Sequence, residues 1–181
     1  IFVIAVAGAN RIYTWDTSSS TSSFTHIAGT GTAGNSNSAI GTLALLNSPV
    51  GVTMKFNSDK IFTGYAVSDT NNYCLREIGF SPSYAVSTMI GTCGTAGISG
   101  DLFQLPKGID YHLNGKMWAV ADSTAHVVNL VEFVELTSVD KNILHKRSLC
   151  GVANTSGWSV DGSSASTAIF DHPFAVALFP R

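Results

Sequence analysis

The sequence predicts an all-β protein, built from four-stranded antiparallel blades of a β-propeller. Three observations predict this. First, three landmarks recur in a fixed order: a Pro-led turn, a run built as Ala-Val-x-Asp, and a Gly-rich hinge. The turns are NSPVGVTM (47–54), QLPKGIDY (104–111) and DHPFAVAL (171–178). The middle runs are AVSDTNNYCLREI (66–78) and AVADSTAHVVNLV (119–131), and the hinges are IAGTGTAG (27–34), IGTCGTAG (90–97) and LCGVANTSG (149–157). Pro49, Pro106 and Pro173 set a period of about sixty residues, and a fixed order at such a period means stacked supersecondary units. Second, strand signals are frequent and no stretch keeps a helical apolar spacing with caps. Third, each unit holds about four strand signals, the content of one propeller blade.

Taken in order, residues 2–15 (FVIAVAGANRIYTW) align loosely with the middle run, so residues 1–48 are expected to end one blade and connect to the next. Residues 14–26 (TWDTSSSTSSFTH) predict a solvated hairpin loop, whose Ser/Thr run suits O-linked sugars. Residues 42–46 support a single helical turn at most. Residues 49–105 form a full blade, with strands at 50–56, 61–67, 73–78 and 86–91. Residues 106–172 form another, with strands at 108–113, 116–121, 126–134 and 142–150 and a hairpin lengthened over 134–147. Residues 173–181 open a further blade, with a strand at 174–179. Asn57-Ser58-Asp59 and Asn114-Gly115 supply tight turns, because Asn and Gly tolerate positive φ. The chain is therefore expected to be a portion of a longer polypeptide, with two full units and two partial ones.

Composition narrows the partners. Hydrophobic residues make up 45% of the chain and charged residues only 12%, against about 25% charged in an ordinary soluble domain. Ser, Thr, Asn and Gly must supply the polar surface. Net charge is −2 with a pI near 6.2 and no Lys/Arg run, which argues against nucleic acid. No apolar run approaches the roughly 18 residues of a membrane span.

At these landmarks the chain resembles the NHL-repeat β-propellers. Their repeats read roughly Pro-x-Gly-Val-Ala-Val, then Leu-Tyr-Val-Ala-Asp-Thr-x-Asn-x-x-Ile-Arg, then Ile-Ala-Gly-Thr-Gly. SPVGVTM, AVSDTNNYCLREI and IGTCGTAG follow that scheme closely. Ala125 stands where Asn is expected, and Ala175 where Gly is expected. The resemblance implies a propeller of about six blades, of which this chain supplies about half. The remaining blades would come from the same polypeptide or a neighbouring subunit.

Motifs weigh toward structure. GTGTAG (29–34) spells a dinucleotide fingerprint, but no helix or distal acid follows, and the stretch recurs at the repeat period. Cys74 and Cys93 lie about equally far from the turn at 81–84, in the third and fourth strands, so a hairpin brings them near enough for a disulfide. Cys150 has no evident partner. Asn154 heads the one N-x-[ST] sequon, in an exposed hinge, and is a glycosylation candidate. Trp158, beside it in a predicted loop, is a candidate contact residue. The aspartates Asp69 and Asp122 end strands, where an Asx-turn would tie the backbone that follows. The five histidines show no metal-ligand spacing. No catalytic residue, metal site or cofactor is expected.

The functional expectation is a noncatalytic structural or adhesive propeller segment of a secreted or cell-surface protein, packed into a larger extracellular assembly. Two other readings stand beside it: a propeller enzyme of lyase or lactonase type, with its active site in blades outside this chain, and an intracellular NHL protein-interaction module.

Overall fold

The computed structural model describes residues 1–18, 22–57, 61–112, 117–135, 142–157 and 164–179. These form three antiparallel sheets with almost no helix. The first sheet holds β1 (Phe2–Val6), β2 (Arg11–Asp16) and β3 (Ser23–Ala28), in that order. The second holds β4 (Pro49–Phe56), β5 (Phe62–Asp69), β6 (Cys74–Gly79) and β7 (Val86–Ile90). The third holds β8 (Pro106–His112), β9 (Met117–Asp122), β10 (Val127–Glu135) and β11 (Asn142–Cys150). Within each sheet, each strand pairs with the next in sequence, as short β-branched runs between turn residues should.

The sheets repeat in register. The same tight turn joins β1 to β2, β5 to β6 and β9 to β10, closed by the pairs Val6–Arg11, Asp69–Cys74 and Asp122–Val127. Its last residue is left-handed each time: Asn10 (φ 52°), Tyr73 (59°) and His126 (60°). Each of these donates its N–H to the carbonyl three residues back, on Ala7, Thr70 and Ser123. A bulge follows at the same place, between Ile12 and Tyr13, Leu75 and Arg76, and Val128 and Asn129. In this register the cross-strand pairs Phe2–Trp15, Tyr65–Ile78 and Trp118–Val131 are equivalent. Pro49 faces Asp69 and Pro106 faces Asp122, so the first two prolines open equivalent strands.

The sheets stack face to face. Between the first and second lie Ile12, Ile27, Leu46, Tyr65, Val67 and Ile78; between the second and third lie Ala66, Leu75, Phe103, Trp118, Val120 and Val131. Tyr65 and Val67 thus face one neighbour and Ala66 the other, the period-two alternation of a strand buried on both faces. Each full burial of such a side chain contributes about 1.5–3 kcal/mol. The edge strands β4 and β8 also pack together. Gly51 makes this possible: a Cβ there would lie 2.2 Å from the Lys107 carbonyl oxygen.

Several expectations need correction. Residues 14–26 are mostly strand: β2 runs to Asp16 and β3 starts at Ser23, held by Trp15 stacking on Phe24 at 5.5 Å. β7 ends at Ile90, because Gly91 turns left-handed (φ 93°), so Cys93 lies in the turn beyond the strand. Residues 174–179 form no strand. Phe174 accepts one backbone bond from Gly108 (2.9 Å), but among the described residues no hairpin partner lies beside the segment to build a ladder. The Asn114-Gly115 turn and Ser58-Asp59 fall outside the described residues. Finally, Asp69 and Asp122 do not tie the backbone that follows them. Asp69 accepts the N–H of Asn47, and Asp122 those of Gln104 and Leu105, pinning the Pro-led turn that opens their own sheet.

Candidate functional site

The chemistry of this chain concentrates where one unit meets the next. At the start of the second sheet, Asp69 and Arg76 form an ion pair of 2.9 Å with both side chains fully buried. The Asp69 carboxylate also accepts from Asn47 N–H (2.8 Å) and Asn72 Nδ2 (2.7 Å). The Arg76 guanidinium donates onward to the Leu45 carbonyl (3.2 Å), the Ser36 carbonyl (3.2 Å) and Asn37 Oδ1 (2.7 Å). Burial pushes the Asp69 carboxyl up and the Arg76 guanidinium down, while their mutual attraction opposes both shifts. This pair clamps the loop at 34–47 onto the sheet.

The third sheet keeps the acid and moves the base. Asp122 stands where Asp69 stands, but Asn129 occupies the place of Arg76. The cation comes instead from Lys146 on β11. Its Nζ donates to the carbonyls of Leu102 and Ile98 (3.2 Å for the latter) and lies over the Phe103 ring at 5.1 Å. Leu102 is the counterpart of Leu45, because each lies against the last glycine of its hinge, Gly97 and Gly34. Lys146 therefore holds the loop carbonyl that a guanidinium holds one sheet earlier. Burial pushes Asp122 up and Lys146 down. An ammonium is smaller than a guanidinium, so a cavity of about 220 Å³ remains, lined by Asp122, Asn129, Lys146 and Ser148. Asn129 Nδ2 is buried there without a hydrogen-bond partner among the described residues.

The residues nominated from sequence are spread apart. Cys74 and Cys93 form a disulfide with a Cα separation of 5.1 Å, from the first residue of β6 to the turn after β7. Asn154 is exposed and left-handed (φ 59°), its N–H bonded to the Ala125 carbonyl. Trp158 lies outside the described residues. Cys150 is a free thiol whose ionisation burial pushes up. The histidines depart from expectation. His126 and His172 meet at the last junction with rings 4.6 Å apart, and His172 donates its backbone N–H to His126 Nδ1. Asp171 accepts from His172 at 2.5 Å, and the three ligand atoms lie within 4.8 Å of one another. At the first junction the same contact is Ser48 N–H to Asn10 Oδ1 (2.7 Å). The recurring Asn-Ser-Pro and Asp-His-Pro turns were the available signal for that meeting.

The first sheet leaves apolar surface uncovered. Phe2, Trp15 and Phe24 form an aromatic row, with Phe2 58% and Phe24 63% exposed. The equivalent pairs Tyr65–Ile78 and Trp118–Val131 are buried against a preceding sheet. Beside this row runs an apolar cavity of about 520 Å³, lined by Ile1, Phe2 and Val3 on one side and Val52, Met54 and Phe62 on the other.

No known family profile and no curated protein sequence matches the chain. Among the solved structures that share its fold are three from Bacteroides. One is an auxiliary nutrient binding protein of Bacteroides thetaiotaomicron (20% identity, TM-score 0.55, 66% of this chain and 32% of that one). Another is an auxiliary nutrient binding protein of Bacteroides ovatus (19%, TM-score 0.53, 64% and 31%). The third is a protein of Bacteroides thetaiotaomicron provisionally described as a phosphatase (19%, TM-score 0.58, 74% and 32%). The chain spans about a third of the length of each. At this identity the likeness defines the class by fold alone: an all-β protein of stacked antiparallel sheets.

Proposed function

We propose that the three sheets are blades of an NHL-like β-propeller, and that the chain is a noncatalytic structural or adhesive segment of a secreted or cell-surface protein. In this reading residues 1–48 end one blade, 49–105 and 106–172 are full blades, and 173–181 open the next. The observation that carries the reading is the repeat of turn, bulge and Pro–Asp pairing in successive sheets that bury their faces on one another. A unit of this kind cannot satisfy its own faces, so function lies in assembly with further blades. The buried acids and bases support the same reading. Asp69, Arg76, Asp122 and Lys146 are each occupied with loop backbone, which fits clamps rather than proton carriers. The Cys74–Cys93 disulfide supports an oxidising compartment, and the exposed Asn154 is accessible to a glycan.

Expression through a secretory pathway tests the compartment. We expect a mass shift on glycosidase digestion that Asn154→Gln abolishes, and a Cys74–Cys93 peptide recovered without reduction. Secreted protein with neither modification would count against the extracellular reading. The blade reading is tested separately by the projected shape of the assembled protein, expected to be a ring of about six sheets.

A further inference from the structure

The recurring tight turn of each sheet ends in a left-handed residue: Asn10, Tyr73 or His126. Two residues lead into the proline landmark that follows each sheet: Asn47-Ser48, Gln104-Leu105 and Asp171-His172. The first junction therefore holds two amides and a hydroxyl, and Ser48 donates its N–H to Asn10 Oδ1 at 2.7 Å. The next holds Tyr73, Gln104 and Leu105. Neither set includes an imidazole or a carboxylate. At the last junction all three positions carry one: His126, Asp171 and His172. His172 donates its N–H to His126 Nδ1 at 3.2 Å, so the lone pair of that nitrogen points into the cluster. His126 is buried, while Asp171 and His172 are exposed. Asp171 Oδ1 lies 2.5 Å from His172 Nδ1 and 3.9 Å from His126 Nδ1. One ligand atom from each residue lies within 4.8 Å of the other two. Zinc bonds imidazole nitrogen and carboxylate oxygen at about 2.0–2.2 Å, which sets neighbouring ligand atoms about 3.3 Å apart. Shifts of about 1 Å, within reach of two exposed side chains, bring this set to that spacing. The contact given up is weak, since 3.2 Å is the long end of the hydrogen-bond range.

We propose that His126, Asp171 and His172 bind one divalent transition-metal ion of the zinc type, which fastens the loop ahead of Pro173 to the tight turn of the third sheet. His126 supplies the lone pair of its Nδ1. The ion takes the place of the proton between His172 Nδ1 and Asp171, and that proton leaves to solvent. Two imidazoles with one carboxylate suit zinc, nickel or copper; calcium and magnesium take oxygen ligands. The three ligands leave the fourth position of a tetrahedron for water. Asp171 and His172 are neighbours on one turn, whereas His126 lies 46 residues before His172. The ion thus cross-links two distant segments, at the place where the first junction uses the Ser48–Asn10 hydrogen bond.

The experiment titrates EDTA-stripped protein with Zn²⁺ by calorimetry, with Co²⁺ as a spectroscopic stand-in. The wild type should bind one Zn²⁺ per chain at this site, show visible Co²⁺ absorption, and melt at a higher temperature with Zn²⁺ than without. The double variant His126→Asn with His172→Ser installs the residues of the first junction, Asn10 and Ser48, whose hydrogen bond needs no metal. Its circular dichroism and metal-free melting should match the wild type. Its Zn²⁺ affinity should fall about 100-fold or more, since even the outer-shell partners of a ligand are worth about 10–100-fold. Asp171→Asn, at an exposed side chain, should weaken binding in the same direction, and it decides the question if the double variant does not fold. His145→Gln, which alters a different exposed histidine, should bind Zn²⁺ as the wild type does. A wild type that binds no Zn²⁺ overturns the proposal. So does Zn²⁺ binding that survives the double variant or Asp171→Asn unchanged. Equal binding of Ca²⁺ and Zn²⁺ also overturns it, because the imidazoles would then not be ligands.

Discussion

At the scale of single residues, Asp69 and Arg76 carry the most consequence. Removing one partner of a fully buried pair leaves the other charge uncompensated, at a cost of about 3–5 kcal/mol. Arg76→Met should therefore lower stability by that order in denaturant titration, and Asp69→Asn combined with Arg76→Met should recover part of it. The cysteines give a second test. Cys93→Ser should cost about 3 kcal/mol, since the bridge restrains a loop of moderate length in the unfolded chain. Without reduction, one thiol per chain should react with alkylating reagent, and it should be Cys150. Burial pushes this thiol up, so at any given pH less of it is the reactive thiolate than for an ordinary cysteine. Its alkylation rate should keep rising with pH beyond the point where a free cysteine levels off. A plateau at the ordinary position would show the thiol to be open to water. The disulfide was legible in sequence because spacing about a hairpin is local arithmetic. The bulge at Leu75 and the left-handed Gly91 were not legible, and they moved Cys93 past the end of its strand. The meeting of His126 with His172 was hidden for a different reason. It depends on how one unit closes on the next, not on spacing along the chain.

At the scale of elements, the contrast between the second and third sheets is informative. The recurring Pro, Asp and Gly landmarks made the strands legible, since each fixes a turn by its own backbone preference. The exchange of Arg76 for Lys146 was illegible, because the replacement cation arrives from β11 rather than from the matching position on β10. This exchange predicts a sign reversal. Asn129→Arg alone crowds Lys146 with a second cation and should destabilise the fold. In a Lys146→Met background the same substitution should fill the 220 Å³ cavity, pair with Asp122 and stabilise. A double-mutant cycle measures the coupling, expected at about 1–3 kcal/mol for groups sharing one network. The strand expected at 174–179 failed for lack of a neighbour, although its residues suit a strand. Its equivalents show what such a segment needs. Gly51 lets β4 approach β8, and Gly51→Ala should force the two strands apart at a cost of about 1–3 kcal/mol.

At the scale of the molecule, the second sheet has a special place. Among the described residues the first and third sheets share no hydrophobic cluster; the first packs on the second through Ile12 and Ile27, and the third through Trp118, Val120 and Val131. Stability in such a stack is close to a sum of unit terms and nearest-neighbour interface terms. A lesion should therefore spread according to where it falls. Ile12→Ala removes packing from the first interface alone, and should loosen β1–β3 with a cost of about 2–5 kcal/mol to that unit. Arg76→Met strikes the unit both neighbours lean on, and should raise opening throughout. Hydrogen exchange read by mass spectrometry separates these outcomes peptide by peptide. With Ile12→Ala, amides of β9 and β10 should keep wild-type protection while those of β2 and β3 lose it. With Arg76→Met, all three sheets should exchange faster together. Equal loss of protection everywhere in both variants would mean that the sheets unfold as one unit. The stack would then be a single cooperative core, and not a row of blades joined by their faces.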